Sequence, residues 1–289
     1  MPNLNLSVEA AGGLSAGVAG TAIGYPLDLV KTRMQTSTSS AMSGSTLRVA
    51  AAVVRNEGFL ALYKGMVPPL LSLSVLNTMN FASYSLFRDR LGAERGWDAR
   101  NAVAGTAVGP LAGTVSTVEH MIKTQMQLDN ISDRRYRGSW HCLTSLVKSN
   151  GPAVLYTGHV VNTSREAVFL GTYFFTYEGI REYLHGQSQV PSSIAVPLAG
   201  GLSGAWAWFV SFPLDCIKAG IQGQKIGNGS SAKSLRAMGV LKGLLETKGV
   251  MGLYAGVTPS IARAFLVSGS RFSAYEFAVW TMGGKHWKN

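Results

Sequence analysis

Six long apolar stretches, near residues 8–35, 67–90, 100–127, 160–184, 192–222 and 258–281, alternate with polar connections along the chain. Roughly 20 residues of helix suffice to cross a bilayer, so stretches of this length predict six tilted or kinked membrane-spanning helices. Pro26 and Pro213 lie inside the first and fifth stretches and predict kinks, because proline removes a backbone hydrogen bond and crowds the preceding turn. Between the two stretches of each pair lies a polar segment with a short amphipathic run. The run Leu47-Arg48-Val49-Ala50-Ala51-Ala52-Val53-Val54-Arg55 reads as a helix lying along the membrane surface.

The polar positions repeat in order three times. Gly13, Gly17, Pro26, Asp28, Lys31 and Gln35 recur with identical offsets as Gly105, Gly109, Val118, His120, Lys123 and Gln127, and again as Gly200, Gly204, Pro213, Asp215, Lys218 and Gln222. Gly58-x-x-x-Leu62-Tyr63-Lys64-Gly65 recurs as Gly151-x-x-x-Leu155-Tyr156-Thr157-Gly158 and Gly249-x-x-x-Leu253-Tyr254-Ala255-Gly256. Tyr84-Ser85-x-x-Arg88, Tyr177-Glu178-x-x-Arg181 and Tyr275-Glu276-x-x-Val279 close the units. The expected fold is therefore all-α, one membrane domain spanning 1–289, with pseudo-threefold repeats at about 8–91, 99–184 and 192–282. The paired glycines put small residues one turn apart, which lets helix backbones approach closely in lipid.

Composition narrows the function. Hydrophobic residues make up 46% and charged residues 14%, and the mean hydropathy of +0.15 is mild for a multi-span protein, which fits a wet interior. A net charge of +11 admits nucleic acid, an anionic lipid surface or a pathway for anionic solutes. Neither a basic recognition helix nor an aromatic RNA-binding strand motif accompanies the basic residues, so no nucleic-acid partner is expected. Cys142 and Cys216 stand far apart and outside any paired metal-ligand pattern, and read as packed thiols rather than a disulfide or zinc site. No metal and no cofactor are expected. The N-terminal residues have neither signal-peptide nor transit-peptide character, so any organelle address is expected to be internal.

Pro-x-Asp-x-x-Lys-x-x-x-Gln at Pro26–Gln35 and Pro213–Gln222, with a degenerate copy at Val118–Gln127, resembles the signature of the mitochondrial carrier family, and the match covers nearly the whole chain. The resemblance implies six tilted helices around a water-filled cavity, a short matrix-side amphipathic helix in each repeat, one central site and two gates. Members are transporters, so no enzymatic activity is expected. It places the chain in the inner membrane. Charge bias directs the basic connections to the matrix and both termini to the intermembrane space. The implied partners are a small solute and membrane lipid, with cardiolipin a candidate on the matrix side; a pathway within one chain calls for a monomer.

The resemblance also implies residue roles. Asp28 would link to Lys123 and Asp215 to Lys31 in a matrix gate, with Gln35, Gln127 and Gln222 bracing the pairs. The third link would join position 120 to Lys218, but His120 cannot supply the negative charge. Glu119 is next door and one position off register. In the gate toward the intermembrane space, Glu276 with Arg88 would be the intact link, leaving Glu178 and Arg181 without their usual partners.

The implied substrate contacts fall on the second helix of each unit. Arg165 and Glu166 offer a cation for a carboxylate and an anion for an ammonium, which suits a zwitterion such as an amino acid or carnitine. Arg263 would be a second hold on the carboxylate, and Ser72, Leu73 and Leu76 line the first unit's side. Basic-amino-acid carriers have an acid matching Leu76, so this apolar wall speaks against a second ammonium. Asn77, Asn80 and Arg271 are polar neighbours without an assigned role, and Trp206 and Trp208 suit either a cationic head group or a membrane interface. An intramembrane structural bridge at Arg165-Glu166 stays open. The expected function is alternating-access carriage, as an exchanger, of a small zwitterionic carboxylate. A carrier of organic anions such as keto or dicarboxylic acids, or a non-transporting receptor or membrane enzyme, are the alternatives.

Overall fold

The computed structural model describes residues 6–36, 45–129, 135–186, 192–224 and 237–281, and within them the side chains except at 6–14, 73–74, 192–194, 271–272 and 275–280. Among these residues the chain is helical and contains no strand. Six long helices fall within two residues of the apolar stretches: α1 Leu6–Thr36, α3 Val67–Leu91, α4 Ala99–Leu128, α6 His159–Gly186, α7 Ser192–Gln222 and α9 Val257–Thr281. Three short helices separate the members of each pair: α2 Thr46–Glu57, α5 Ser139–Asn150 and α8 Ala237–Lys248.

Each short helix is amphipathic for a local reason. Val49 and Val53, one turn apart, are the buried residues of α2, while Leu47 on its far side is exposed. Cys142 and Leu146 do the same for α5, packing with Met121, Ile122 and Met126 of α4. Burial pushes the Cys142 thiol up to about 12, so it behaves as an inert packed group.

The second repeated landmark is explained by backbone geometry. After α2, Gly58 takes φ 83°, a 3-10 turn runs over Phe59–Tyr63, and Gly65 takes φ 79° before α3 begins. The counterparts Gly151, Gly158, Gly249 and Gly256 have φ between 63° and 87°. Only glycine adopts that region without strain, so the two glycines set the corners of each unit. Tyr25 Oη donates to Lys64 O at 2.8 Å and ties the second corner to α1.

The long helices form a ring. α3 packs on α1 and α4, α6 on α4 and α7, and α9 returns from α7 to α1. In addition α1, α4 and α7 approach one another pairwise, so the bundle narrows where these three meet. The tightest seam is between α4 and α6: a Cβ on Gly105 would sit 2.5 Å from Leu170 O, and one on Gly109 would sit 2.5 Å from the Cα of Ala167. Glycine here is the condition for backbone-to-backbone contact.

Polarity is inverted relative to a water-soluble protein. Val18, Phe81, Val103, Phe209 and Leu266 are exposed on the outside, whereas Asp28, Lys31, Glu166, Asp215 and Lys218 are buried. Two helices are long and apolar enough by themselves to cross a membrane, Ala195–Gln222 with mean hydropathy 1.3 and Val250–Ser270 with 1.4. A pair bent by 47°, Phe59–Ser72 with Val75–Leu91, would make a third. Inward-facing ionisable residues lower the average of helices such as α1 and α4.

Substituting Gly109→Ala is expected to lower the apparent melting temperature in detergent by the equivalent of about 1–3 kcal/mol, because overpacking against Ala167 outweighs alanine's better helix propensity. Gly243→Ala in α8, where nothing lies within 4 Å of the added carbon, is expected to leave stability equal or raised. Thermal denaturation of the two variants checks the sign of each.

Candidate functional site

The C-terminal thirds of α1, α4 and α7 bring charged residues of different repeats to the axis. Lys123 Nζ of α4 donates to Asp28 Oδ2 of α1 at 2.7 Å. Lys31 Nζ of α1 lies 2.7 Å from Asp215 Oδ2 of α7, and Gln35 Nε2 donates to the same oxygen at 2.8 Å. The Lys31 ammonium also sits over Trp208, 3.9 Å from the ring centre, which assigns that tryptophan to the interior while Trp206 is exposed.

The other two glutamines make different contacts from those expected. Gln127 Oε1 accepts from Thr32 Oγ1 at 2.7 Å, and Gln222 Nε2 donates to Thr157 O at 3.2 Å. Gln35 alone of the three bonds to an ion pair among the described residues. The reason is reach: the Gln222 side chain meets the corner after the second repeat's 3-10 turn. Nothing in the sequence pattern singled out Thr32, which ties α1 to α4 beside the charged pairs.

Position 120 lies within electrostatic reach of Lys218, as expected, and also meets an acid. His120 Nε2 lies 3.8 Å from Glu166 Oε1 of α6, so the histidine meets a carboxylate from the second helix of its own repeat. Lys218 lies 3.9 Å from Asp215, one turn back on α7, an acid already engaged by Lys31.

These residues line one cavity of about 290 Å³. Arg165, Glu166, Arg263, Ser72 and Leu76 line it too, as do Glu119, Asn77 and Asn80; the side chains of Leu73 and Arg271 lie outside the described residues. Arg165 and Glu166 are both buried and pair with each other. The guanidinium packs toward Phe169 and Trp208, with centroids 5.5 and 5.6 Å away. Glu166 Oε1 accepts from Ser116 Oγ at 3.2 Å, and Asn162 Nδ2 donates to Ser116 Oγ at 2.9 Å behind it. Arg263 is engaged as well: its Nε lies 2.7 Å from Asp28 Oδ1, a charge contact without a hydrogen bond's alignment. Asp28 thus holds two cations.

At the opposite end, Arg88 Nη1 of α3 lies 3.8 Å from Glu178 Oε1 of α6. Glu178, expected to be without its usual partner, meets Arg88 in its place. Tyr84 stacks on Phe174 with centroids 3.6 Å apart and donates to Asn101 Oδ1 at 3.0 Å, holding α3 against α6 and α4 so that Arg88 reaches Glu178. Arg181 lies beside Glu178, Glu182 and His185 in a separate pocket. The Glu276 side chain, expected to meet Arg88, lies outside the described residues.

Three copies of one helical unit, closed into a ring with charge inside and apolar surface outside, define a membrane bundle built to house a polar solute. The chain belongs to the mitochondrial carrier protein family, whose sequence profile matches residues 2–95, 97–188 and 189–286. It is 30% identical over 284 residues to mitochondrial substrate carrier family protein S of Dictyostelium discoideum, covering 95% of this chain and 97% of the relative. It is 32% identical over 286 residues to the mitochondrial arginine transporter BAC2 of Arabidopsis thaliana, covering 93% and 89%. With solute carrier family 25 member 45 of Mus musculus it shares 30% over 292 residues, covering 94% and 97%. Membership implies a multi-pass protein of the mitochondrial inner membrane, and members of the family are transporters rather than enzymes.

The unequal pairing of the lysines is testable. Lys31→Met leaves Asp215 with the Gln35 hydrogen bond and, as its cationic contact, Lys218 at 3.9 Å, and is expected to cost about 3 kcal/mol of stability, the scale for breaking a buried pair. Lys218→Met leaves Asp215 with its closer partner Lys31 and is expected to be near neutral. Unfolding of the two variants in detergent, compared side by side, reads the difference.

Proposed function

We propose that the protein carries a small zwitterionic carboxylate, an amino acid or a betaine such as carnitine, across the inner membrane by alternating access, exchanging one zwitterion for another. The observation that carries this reading is the buried Arg165–Glu166 pair facing the cavity. Without solute the two charges neutralise each other. A zwitterion entering the cavity replaces that internal partnership by two external ones, carboxylate to Arg165 and ammonium to Glu166, so no buried charge is left unpaired at any stage. A solute with only one charge would strand one of the two. The Arabidopsis relative is by name an arginine transporter, which supports an amino acid within this class.

In this reading Asp28–Lys123 and Asp215–Lys31, with Gln35 on the second pair, form the matrix-side gate. Arg88–Glu178 belongs to the gate on the other side. Gln127 and Gln222 steady the neighbouring backbone and hydroxyl groups instead of bridging ion pairs. The three first helices close the matrix end, and breaking two ion pairs while forming others keeps the two states within a few kcal/mol, as a switch requires. The six long helices all span the membrane, α2, α5 and α8 lie at the matrix surface, and both termini face the intermembrane space.

A second reading, carriage of an organic anion, draws on the cavity's charge: Lys31, Lys123, Arg165, Lys218 and Arg263 against Asp28, Glu119, Glu166 and Asp215. Reconstitution in liposomes with amino acids, carnitine, keto acids and nucleotides separates the two. The zwitterion reading expects uptake of amino acids or carnitine and a fall of about 100-fold in Glu166→Gln, the order of a lost charge-assisted contact. Uptake of keto acids or nucleotides alone, undiminished in Glu166→Gln, would overturn it.

A further inference from the structure

Of the four carboxylates that line the cavity, three have cationic partners: Asp28 has Lys123 and Arg263, Asp215 has Lys31, and Glu166 has Arg165. Glu119 is the exception. Its Oε2 accepts from the Ser72 hydroxyl of α3, and among the described residues no lysine or arginine nitrogen lies within ion-pair distance of it. A hydroxyl satisfies one lone pair of this half-buried carboxylate but does not neutralise its charge, which a cation entering the cavity would do.

Helical register explains why this acid faces the substrate. Successive residues on a helix project about 100° apart. His120 points toward α6, where it meets Glu166, and the same rotation turns Glu119 toward α3 and into the cavity. The cations Lys123 and Arg263 that line the same cavity are engaged by Asp28 instead. Asn80 Oδ1 is buried without a hydrogen-bond partner, Asn77 lines the same side, and Pro69 and Leu76 supply apolar surface. An unneutralised carboxylate beside an unused amide oxygen and an aliphatic wall suits a methylene chain ending in a cationic donor.

We infer that Glu119 anchors a second, cation-binding subsite on the α3–α4 wall, so that the solute is a basic amino acid with a distal ammonium or guanidinium group. This rests on the reading of Arg165 and Glu166 as the zwitterion site. It also revises the expectation drawn from Leu76: the acid absent from α3 is supplied by α4, and Leu76 packs on the stem of the side chain. The Ser72–Glu119 contact holds the carboxylate in place until the cation arrives.

L-arginine and L-citrulline share shape and zwitterionic head but differ in the charge of the distal group. Binding of each to the purified full-length protein is measured by thermal shift in detergent and by competition for uptake into liposomes. The wild type is expected to favour arginine over citrulline by about 10–100-fold, the range of one charge-assisted hydrogen bond, and Glu119→Gln to bring that ratio close to unity. Equal affinity in the wild type, or an unchanged ratio in Glu119→Gln, overturns the cation subsite. If citrulline or carnitine still binds in that case, the zwitterion site stands without it; if no zwitterion binds, both fall. Should Glu119→Gln fail to fold, Glu119→Asp keeps the charge and shortens its reach by one methylene. Its preference is expected to shift from arginine to homoarginine, and the absence of that shift overturns the inference.

Discussion

Everything in this molecule hangs on the mutual neutralisation of charges that three different helices bring to one axis. No single repeat can do it. Asp28, Lys31, Lys123 and Asp215 belong to α1, α4 and α7, and each closest ion pair joins two repeats. An ionisable group buried without a partner in a bilayer is costly, so the ring of helices and the pairing of charges stabilise each other: α9 must return to α1 for the axis to exist, and the pairs keep the axis from opening toward lipid.

The three repeats share a backbone and differ in chemistry. The glycine corners, the 3-10 turns and the short amphipathic helices recur in each, because φ above zero and a four-residue apolar spacing are backbone and packing requirements that every copy must meet. The charged positions are free to diverge. In the second repeat His120 stands where the other two have aspartate, and Glu166 of α6 comes within 3.8 Å of it. Carboxylates are therefore the scarce component on the axis: Asp28 and Asp215 each serve two cations.

That scarcity gives the cavity its character. Arg165 and Glu166 pair with each other, backed by Ser116 and Asn162, so these two charges neutralise each other and, in the proposed reading, can exchange partners with a solute. Among the described residues Glu119 is held by a serine hydroxyl. The contrast between a self-compensated pair and an uncompensated acid, in one cavity, is what gives the site a direction along which a solute could lie.

Much of the architecture was readable along the chain. The long helices lie within two residues of the apolar stretches, since a helix facing lipid must be apolar over its whole span, and the repeated glycines marked the corners because no other residue fits their backbone angles. The cross-repeat pairs Asp28 with Lys123 and Asp215 with Lys31 are those that the family resemblance implied. Contacts that depend on helix rotation and side-chain reach were not. Arg263 on Asp28, His120 on Glu166, Arg88 on Glu178, Thr32 on Gln127 and Ser72 on Glu119 are pairings that the repeat pattern did not give, even where one or both residues hold a repeated position. Local pattern determines which residues form helices and which faces are polar; only the packed ring decides which polar group lies opposite which, because that depends on the distance and rotation between helices that are far apart in the chain.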